Sequence, residues 1–549
     1  MKGRFCMLII ILQILFISCH TVDNPHRIKG VELKTVLDKD DISLIENTTY
    51  IITKNIDLNG AHLSIPRGCT LVFDGGEISN GQIQFDSTFV NGIPNFSNCG
   101  YKGRVIMDAI DDRCFNSQDE TNTFIFLLRN AIENGIRCDF YRDYKISMKD
   151  ASAVYGLISF QDLNSGADIN FHGNTVYNIN PFSSGAIKTV ITFRNVKNVT
   201  IRNCNFHDVD EHDCHNFKES AGCTFIHCYG DCDGINLLDC SQRNGDCILR
   251  SGVWVHNENR PEDTPRRGLI NSTIKVSSDN VGYGLALYCG DSLDLDITVN
   301  NPHRGFYCTG VSNSTIQYEG FNPQATNTHI LIKDAVYRRI DSTGIDVLDM
   351  KGCDHLDISV CINEVLSRES VVRFQSYGTG LKEGADFRFR SEKCHHHDIR
   401  VTANIRRSPK KGYFHICDFV RDSGAQDESD IIGCKVSGLV IHDIPNRRGT
   451  TGRYLLNLEP YSEVYAEIIN CGINDNQFEG KPYNVHVRGN AKGSLKITNS
   501  HLGGVLIREK DKGRFDVSVD DVSVINNGLN FIEDGSKRSL VNMNGKSNN

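Results

Sequence analysis

The 549-residue sequence predicts an all-β coil, in which short strands wind round and stack on one another. Three observations predict it. First, a phrase recurs: one or two turn residues, an aliphatic residue, Thr or Asp, and another β-former. It reads Asn198-Val199-Thr200-Ile201, Gly222-Cys223-Thr224-Phe225, Asn271-Ser272-Thr273-Ile274, Ser292-Leu293-Asp294-Leu295 and Asn313-Ser314-Thr315-Ile316. It continues as His355-Leu356-Asp357-Ile358, His396-His397-Asp398-Ile399, Ser494-Leu495-Lys496-Ile497 and Arg514-Phe515-Asp516-Val517, with weaker copies at Arg339, Val440 and Tyr465. Second, most steps between copies are near one length and three are near its double. If each long step hides a copy, the repeat is about 23 residues, the range of strand solenoids. Third, stretches rich in Val, Ile, Thr and Asn outnumber helical ones. Inside a coil alternate residues face the interior, and about fifteen coils stacked at ~4.8 Å give a rod roughly 70 Å long.

Residues 1–19 read as an export leader: Lys2 and Arg4, then an apolar run from Met7 to Ile17 broken only by Gln13. That run is too short to span a bilayer comfortably. It ends Phe16-Ile17-Ser18-Cys19, which resembles the bacterial lipoprotein cleavage box with Phe in place of Leu. The resemblance implies cleavage before Cys19, its lipidation, and anchoring at the outer membrane, facing the cell surface or the periplasm. An ordinary cleaved leader with a chance Cys is the alternative. Residues 20–40 read as a tether.

Residues 41–137 read as a small β section and a helix. Ile56 to Gly60, Leu63 to Pro66 and Thr70 to Ile78 alternate apolar residues with Gly turns. Asp119 or Thr121 can cap a helix whose apolar face is Phe124, Leu127, Leu128, Ala131 and Ile132, with Gly135 to end it. Such a helix suits the open end of a coil, whose unpaired edge otherwise invites aggregation. Residues 138–527 hold the coils, and 528–549 a polar tail.

Of 21 Cys, Cys6 and Cys19 fall in the leader, leaving an odd number. Export suggests disulfides. Yet Cys289 and Cys308 each follow a Tyr on adjacent coils, and Cys353 and Cys394 share a repeat position, as stacked buried thiols would. The net charge is −9, but cations cluster in loops: Arg260, Arg266 and Arg267; Arg406, Arg407, Lys410 and Lys411; Arg447, Arg448 and Arg453. Basic loops on an acidic body suit an anionic partner. For an exported chain an acidic polysaccharide fits better than nucleic acid, and solvated loops are the plain alternative.

The helix followed by strand, with turns such as Asn198-Val199-Thr200-Ile201-Arg202-Asn203, resembles the right-handed parallel β-helix of the pectin-lyase-like superfamily. The opening Ile65-Pro66-Arg67-Gly68 and Phe73-Asp74-Gly75-Gly76 resemble surface glycan-utilisation proteins of gut Bacteroidetes. The resemblance implies one right-handed solenoid with an N-terminal capping helix. With the lipoprotein start and basic loops, it is similar to the glycosaminoglycan lyases of such bacteria. The fold alone does not name an activity. The hydrolase motifs of the superfamily are not evident as a set: Asn-Thr-Asp does not occur, Arg-Ile-Lys occurs only as Arg27-Ile28-Lys29 in the tether segment, Gly245-Asp246-Cys247 lacks a second Asp, and Asp111-Asp112 reads as a turn.

A uronate lyase must neutralise the substrate carboxylate, take the C5 proton and protonate the leaving oxygen. The segment Asn300 to Cys308 offers these groups. Arg304 is the candidate for neutralisation, His303 or Tyr307 for base and acid, and Lys333 for an alternate base. Tyr283 has the same offset from Thr273 as Arg304 has from Asp294, and the Tyr-Cys pairs set Tyr288 near Tyr307. Tyr283, Tyr288, Arg338, Arg373 and the loop residues Arg260, Arg266 and Arg267 are candidate substrate contacts. His303-Arg304 also reads as a turn with Arg paired to an Asp. A glycoside hydrolase would use two carboxylates, such as Asp346 with Asp349 or Asp239 with Asp246. A surface glycan-binding protein without catalysis is a third reading. Cys394-His395-His396-His397-Asp398 resembles a metal cluster, but consecutive His alternate faces and the phrase aligns with the turn Cys353 to Asp357. No metal site is assigned, and no motif requires a cofactor; calcium in a lyase cleft has no acidic loop to announce it. The expected form is a monomer.

Overall fold

The computed structural model describes residues 30–37, 44–151, 155–180, 187–208, 222–252, 268–302 and 304–321. Beyond these it describes 330–334, 337–340, 346–349, 354–363, 370–376, 387–389, 398–404, 414–421, 435–442, 453–458, 463–471, 485–488, 491–502, 505–509, 514–524, 529–533 and 541–543. The leader with Cys19 lies outside them. No helix among the described residues is long and apolar enough to cross a membrane.

The N-terminal β section is a seven-stranded sheet, and its described pairings are parallel. It includes Thr49–Ile52, His62–Ile65, Thr70–Phe73, Ile78–Asn91 and Phe96–Ile106. Leu63, Ile65, Leu71, Ile83 and Phe85 alternate into its core. The helix runs Glu120–Asn134. Asp119, not Thr121, caps it, accepting from the Asn122 backbone N–H at 3.0 Å. Gly135 ends it at φ 66°, where a Cβ would lie 2.0 Å from the Ser165 carbonyl oxygen. Both its sides are packed. Phe126 meets Phe85, Tyr101 and Phe115 of the N-terminal section, while Phe124 meets Phe140, Tyr144 and Phe171 of the first coils. The helix therefore lies between two β stacks and packs against both. Its buried Asn130 accepts from the Val105 backbone N–H at 2.8 Å.

Most of the remaining strands form one 31-stranded sheet, whose described pairings are parallel, coil on coil. In one row Asp168 pairs with Thr200, and Thr273, Asp294, Thr315, Asp357 and Asp398 follow one another directly. The register corrects three expectations. Two of the three long steps hide no copy: Asp357 pairs with Asp398, and Arg400 with Val440, so each is a single coil with a long excursion. Loop closure grows only slowly in cost with length, so a ladder need not keep its step. Thr224 belongs to a different ladder, between Thr189 and Cys247, and the rung beyond Thr200 is Asn236. Arg339 is off the coils, in an antiparallel three-stranded sheet of Tyr337–Ile340, Asp346–Asp349 and Phe387–Phe389.

Corners are turned by residues at positive φ; besides Gly these are mostly Asn, the side chain that tolerates this region best after Gly. Their amides bond along the stack: Asn203 to Asn170 at 3.0 Å, Asn280 to Asn244 at 2.9 Å, and Asn499 to Asn470 at 2.7 Å. The interior is aliphatic, aromatic and thiol. Cys204, Cys228, Cys240, Cys308, Cys417 and Cys471 are buried in the main core.

Candidate active site

Seven strands of the main sheet position the site: β1 Ile187–Arg194, β2 Gly222–Tyr229, β3 Cys247–Ser251, β4 Tyr283–Asp291, β5 Arg304–Phe321, β6 Ile330–Asp334 and β7 Ser370–Ser376. Their register sets residues in rows. One runs Thr192, His227, Arg250, Ala286, Tyr307, Leu331, Arg373. Two positions along, another row holds Tyr288, Thr309, Lys333 and Gln375. Tyr283 lies directly across from Arg304, as the shared offset predicts.

Strand alternation separates two apolar groups here. Leu285, Leu287, Phe306 and Cys308 belong to the main core. Cys247, Ala286, Tyr288 and Tyr307 form a separate cluster with half-buried Tyr283 against it. The rings of Tyr288 and Tyr307 lie 5.1 Å apart, and those of Tyr283 and Tyr307 6.4 Å. The Tyr-Cys pairs are not the register, however: Cys308 lies across from Leu287, and Tyr288 from Thr309. Burial pushes the Tyr288 phenol up to about 12, against the pull of Arg250.

The charged centre of the cluster is Arg250 with Asp246, which the sequence reading did not single out as a pair. Asp246 accepts from Arg250 Nη2 at 2.7 Å and from Thr224 Oγ1 at 2.8 Å, and the guanidinium lies 5.3 Å from the Tyr283 ring. Burial opposes the Arg250 charge, but Asp246 outweighs it and holds the group protonated. The turn before Asp246 is built for this. Gln242 Nε2 donates to the Cys223 and Asn244 carbonyls, each at 2.9 Å, and Asp208 accepts from the Cys223 backbone N–H at 2.8 Å. Gly245 sits at φ 88°, with Asp208 Oδ2 only 2.8 Å from where a Cβ would be. The Tyr283 N–H donates to the Asp246 carbonyl at 2.7 Å, tying β4 to the turn.

His227 also escaped the sequence reading. Its Nε2–H donates to the Gly252 carbonyl at 2.7 Å, and its ring stacks on Tyr229 at 3.9 Å. Burial, with Arg250 assisting, takes its pKa down to about 3, so it is neutral. The available signal was the alternation Phe225, His227, Tyr229 on one strand face; the even spacing of Asp246 and Arg250 was another.

Among the sequence candidates, Tyr283, Tyr288 and Tyr307 are brought together. Arg304, Lys333 and Arg373 occupy neighbouring register positions by their backbones. Arg338 is apart, across from Asp349 in the antiparallel sheet, and Asp346 and Asp349 are the two ends of one of its strands. His303, Arg260, Arg266 and Arg267 lie outside the described residues, as do Cys394 to His397. The segment that carries the three Arg joins Gly252, just past β3, to Gly268.

No family model matches the chain, and no curated protein matches its sequence. Two solved structures are similar in part. The A-module of the Azotobacter vinelandii mannuronan C-5 epimerase AlgE6 has 9% identity and a TM-score of 0.35, over 75% of this chain and 91% of its own. The A-module of AlgE4 from the same organism has 10% identity and a TM-score of 0.31, over 74% and 91%. At these TM-scores neither likeness bears on fold or activity.

Proposed function

We propose that this chain is a polysaccharide lyase that cleaves a uronic-acid polymer by β-elimination on a single right-handed parallel β-helix. The proposed substrate is a glycosaminoglycan of the chondroitin, dermatan or hyaluronan kind, and the proposed setting a lipid anchor at Cys19 on the outer membrane. The observation that supports the reading is the register. It sets Tyr283 beside Arg304, Tyr307 one strand from Ala286 in the Arg250 row, and Lys333 in the Tyr288 row.

In this reading Arg304 neutralises the C5 carboxylate, which makes the C5 proton removable. His303 or Tyr307 takes that proton, with Lys333 as alternate base. The electron pair forms the C4–C5 double bond as the C4–O bond breaks, and a second group of the set protonates the departing oxygen. Tyr288, held as a phenol by burial, is suited to proton donation. Arg260, Arg266, Arg267 and Arg373 would meet the polymer's anions.

Ultraviolet absorbance during incubation with chondroitin sulfate, dermatan sulfate, hyaluronan, alginate and polygalacturonate tests this. A rise from an unsaturated uronate supports the lyase. New reducing ends without absorbance would replace it by a hydrolase, and binding without either product by a glycan-binding protein.

A further inference from the structure

Thr192, His227 and Arg250 are successive members of one row, on β1, β2 and β3. Each carries a buried polar atom with no hydrogen-bond partner among the described residues: Thr192 Oγ1, His227 Nδ1 and Arg250 Nε. Thr192 is 3% exposed and His227 6%. Buried polar atoms are rarely left unpaired, because each such atom forfeits its hydration. Three on adjacent strands in one row therefore ask for a common occupant. We propose that they form a subsite that binds neighbouring hydroxyls of one sugar residue.

The donor set selects the ligand. With Nε2–H committed to the Gly252 carbonyl, His227 Nδ1 can only accept. Arg250 Nε–H can only donate, and the Thr192 hydroxyl does both. An anion would face the imidazole lone pair, and a metal cation would face the guanidinium. A group that accepts from Arg250 and donates to His227 satisfies both, and a hydroxyl is such a group. Neighbouring strands lie ~4.8 Å apart, so one oxygen between two of these side chains is within hydrogen-bond reach of both. A second hydroxyl would then meet Thr192. The planes are already fixed, His227 by Tyr229 and Arg250 by Tyr283 and Asp246, so little ordering is left for binding.

The inference rests on the reading of this sheet as a polysaccharide surface. Its test is calorimetric titration of the full chain with a hyaluronan hexasaccharide, with cleavage and thermal midpoint scored on the same samples. Thr192→Val and His227→Gln should each weaken binding about tenfold. Thr192→Val should melt no lower than the parent, since its hydroxyl has no partner to lose among the described residues. His227→Gln retains a donor toward Gly252. Unchanged affinity in both variants overturns the subsite and leaves a bound water as occupant of the row. Cleavage with unchanged variant affinity sinks the subsite alone; variant-sensitive binding without cleavage sinks the lyase alone. Failure of the parent chain to bind this hexasaccharide and those of chondroitin sulfate and dermatan sulfate overturns both.

Discussion

Arg250 is clamped by Asp246, four residues earlier, through a bond of 2.7 Å that both residues make while largely buried. A buried cation held this way depends on its counter-ion more than the pair depends on itself. Asp246→Ala should destabilise the chain by about 3–5 kcal/mol, because it strands the guanidinium. Urea unfolding of variant and parent measures this, and a loss under about 1 kcal/mol, the size of an exposed pair, would contradict the burial.

His227 gives a pH dependence with a definite sign. Its folded pKa, about 3, is below its ordinary value of 6.5. The unfolded chain therefore binds the proton first as pH falls. The stability from the neutral ring is complete above pH 6.5 and is lost as pH drops from 6.5 toward 3, at up to about 1.4 kcal/mol per pH unit. Between pH 7 and pH 5 the parent should lose about 2 kcal/mol more than His227→Gln. Parallel stability curves for the two would show that the ring does not titrate as stated.

The helix ends are a separate test. Asp119→Ala removes the acceptor for the Asn122 N–H and should cost about 1 kcal/mol. Gly135→Ala should cost more, since it places a Cβ against the Ser165 carbonyl at a left-handed φ. Thermal unfolding should rank them in that order.

For the proposed lyase, Arg304→Ala should lower kcat about 10²–10³-fold, as loss of a charge-stabilising group does. Tyr307→Phe should lower it about 10²–10⁴-fold if the phenol moves a proton. Steady-state rates on the best polymer of the panel decide both. Full activity in Tyr307→Phe would shift the proton transfer to His303 or Lys333.

The coil and its corners were legible because turn residues announce themselves locally. Asn or Gly stands at most left-handed corners, and Asp119 and Gly135 mark helix ends by chemistry that acts over a few residues. The Tyr283–Arg304 match followed from equal strand lengths on neighbouring coils. Legibility failed where the signal does not say which strand of a coil it marks, so Thr224 stood in for Asn236. It failed also where excursions lengthen a coil without altering its register, as between Asp357 and Asp398. Arg250, Asp246 and His227 were missed for a third reason. Their pairing is made across strands and a turn, and nothing in the spacing of a buried ion pair separates it from ordinary alternation.

The asparagine corners carry one more implication. Asn203, Asn280 and Asn499 are each bonded to the coil next to them, so these junctions resemble one another. A whole coil inserted or deleted at a corner such as Asn280 would leave both new neighbours with an intact amide bridge. The surface could thus grow or shrink in evolution by steps of about 4.8 Å without redesign of its ends. Its reach along a polymer would then be a property counted in rungs, inherited separately from the chemistry that any one rung performs.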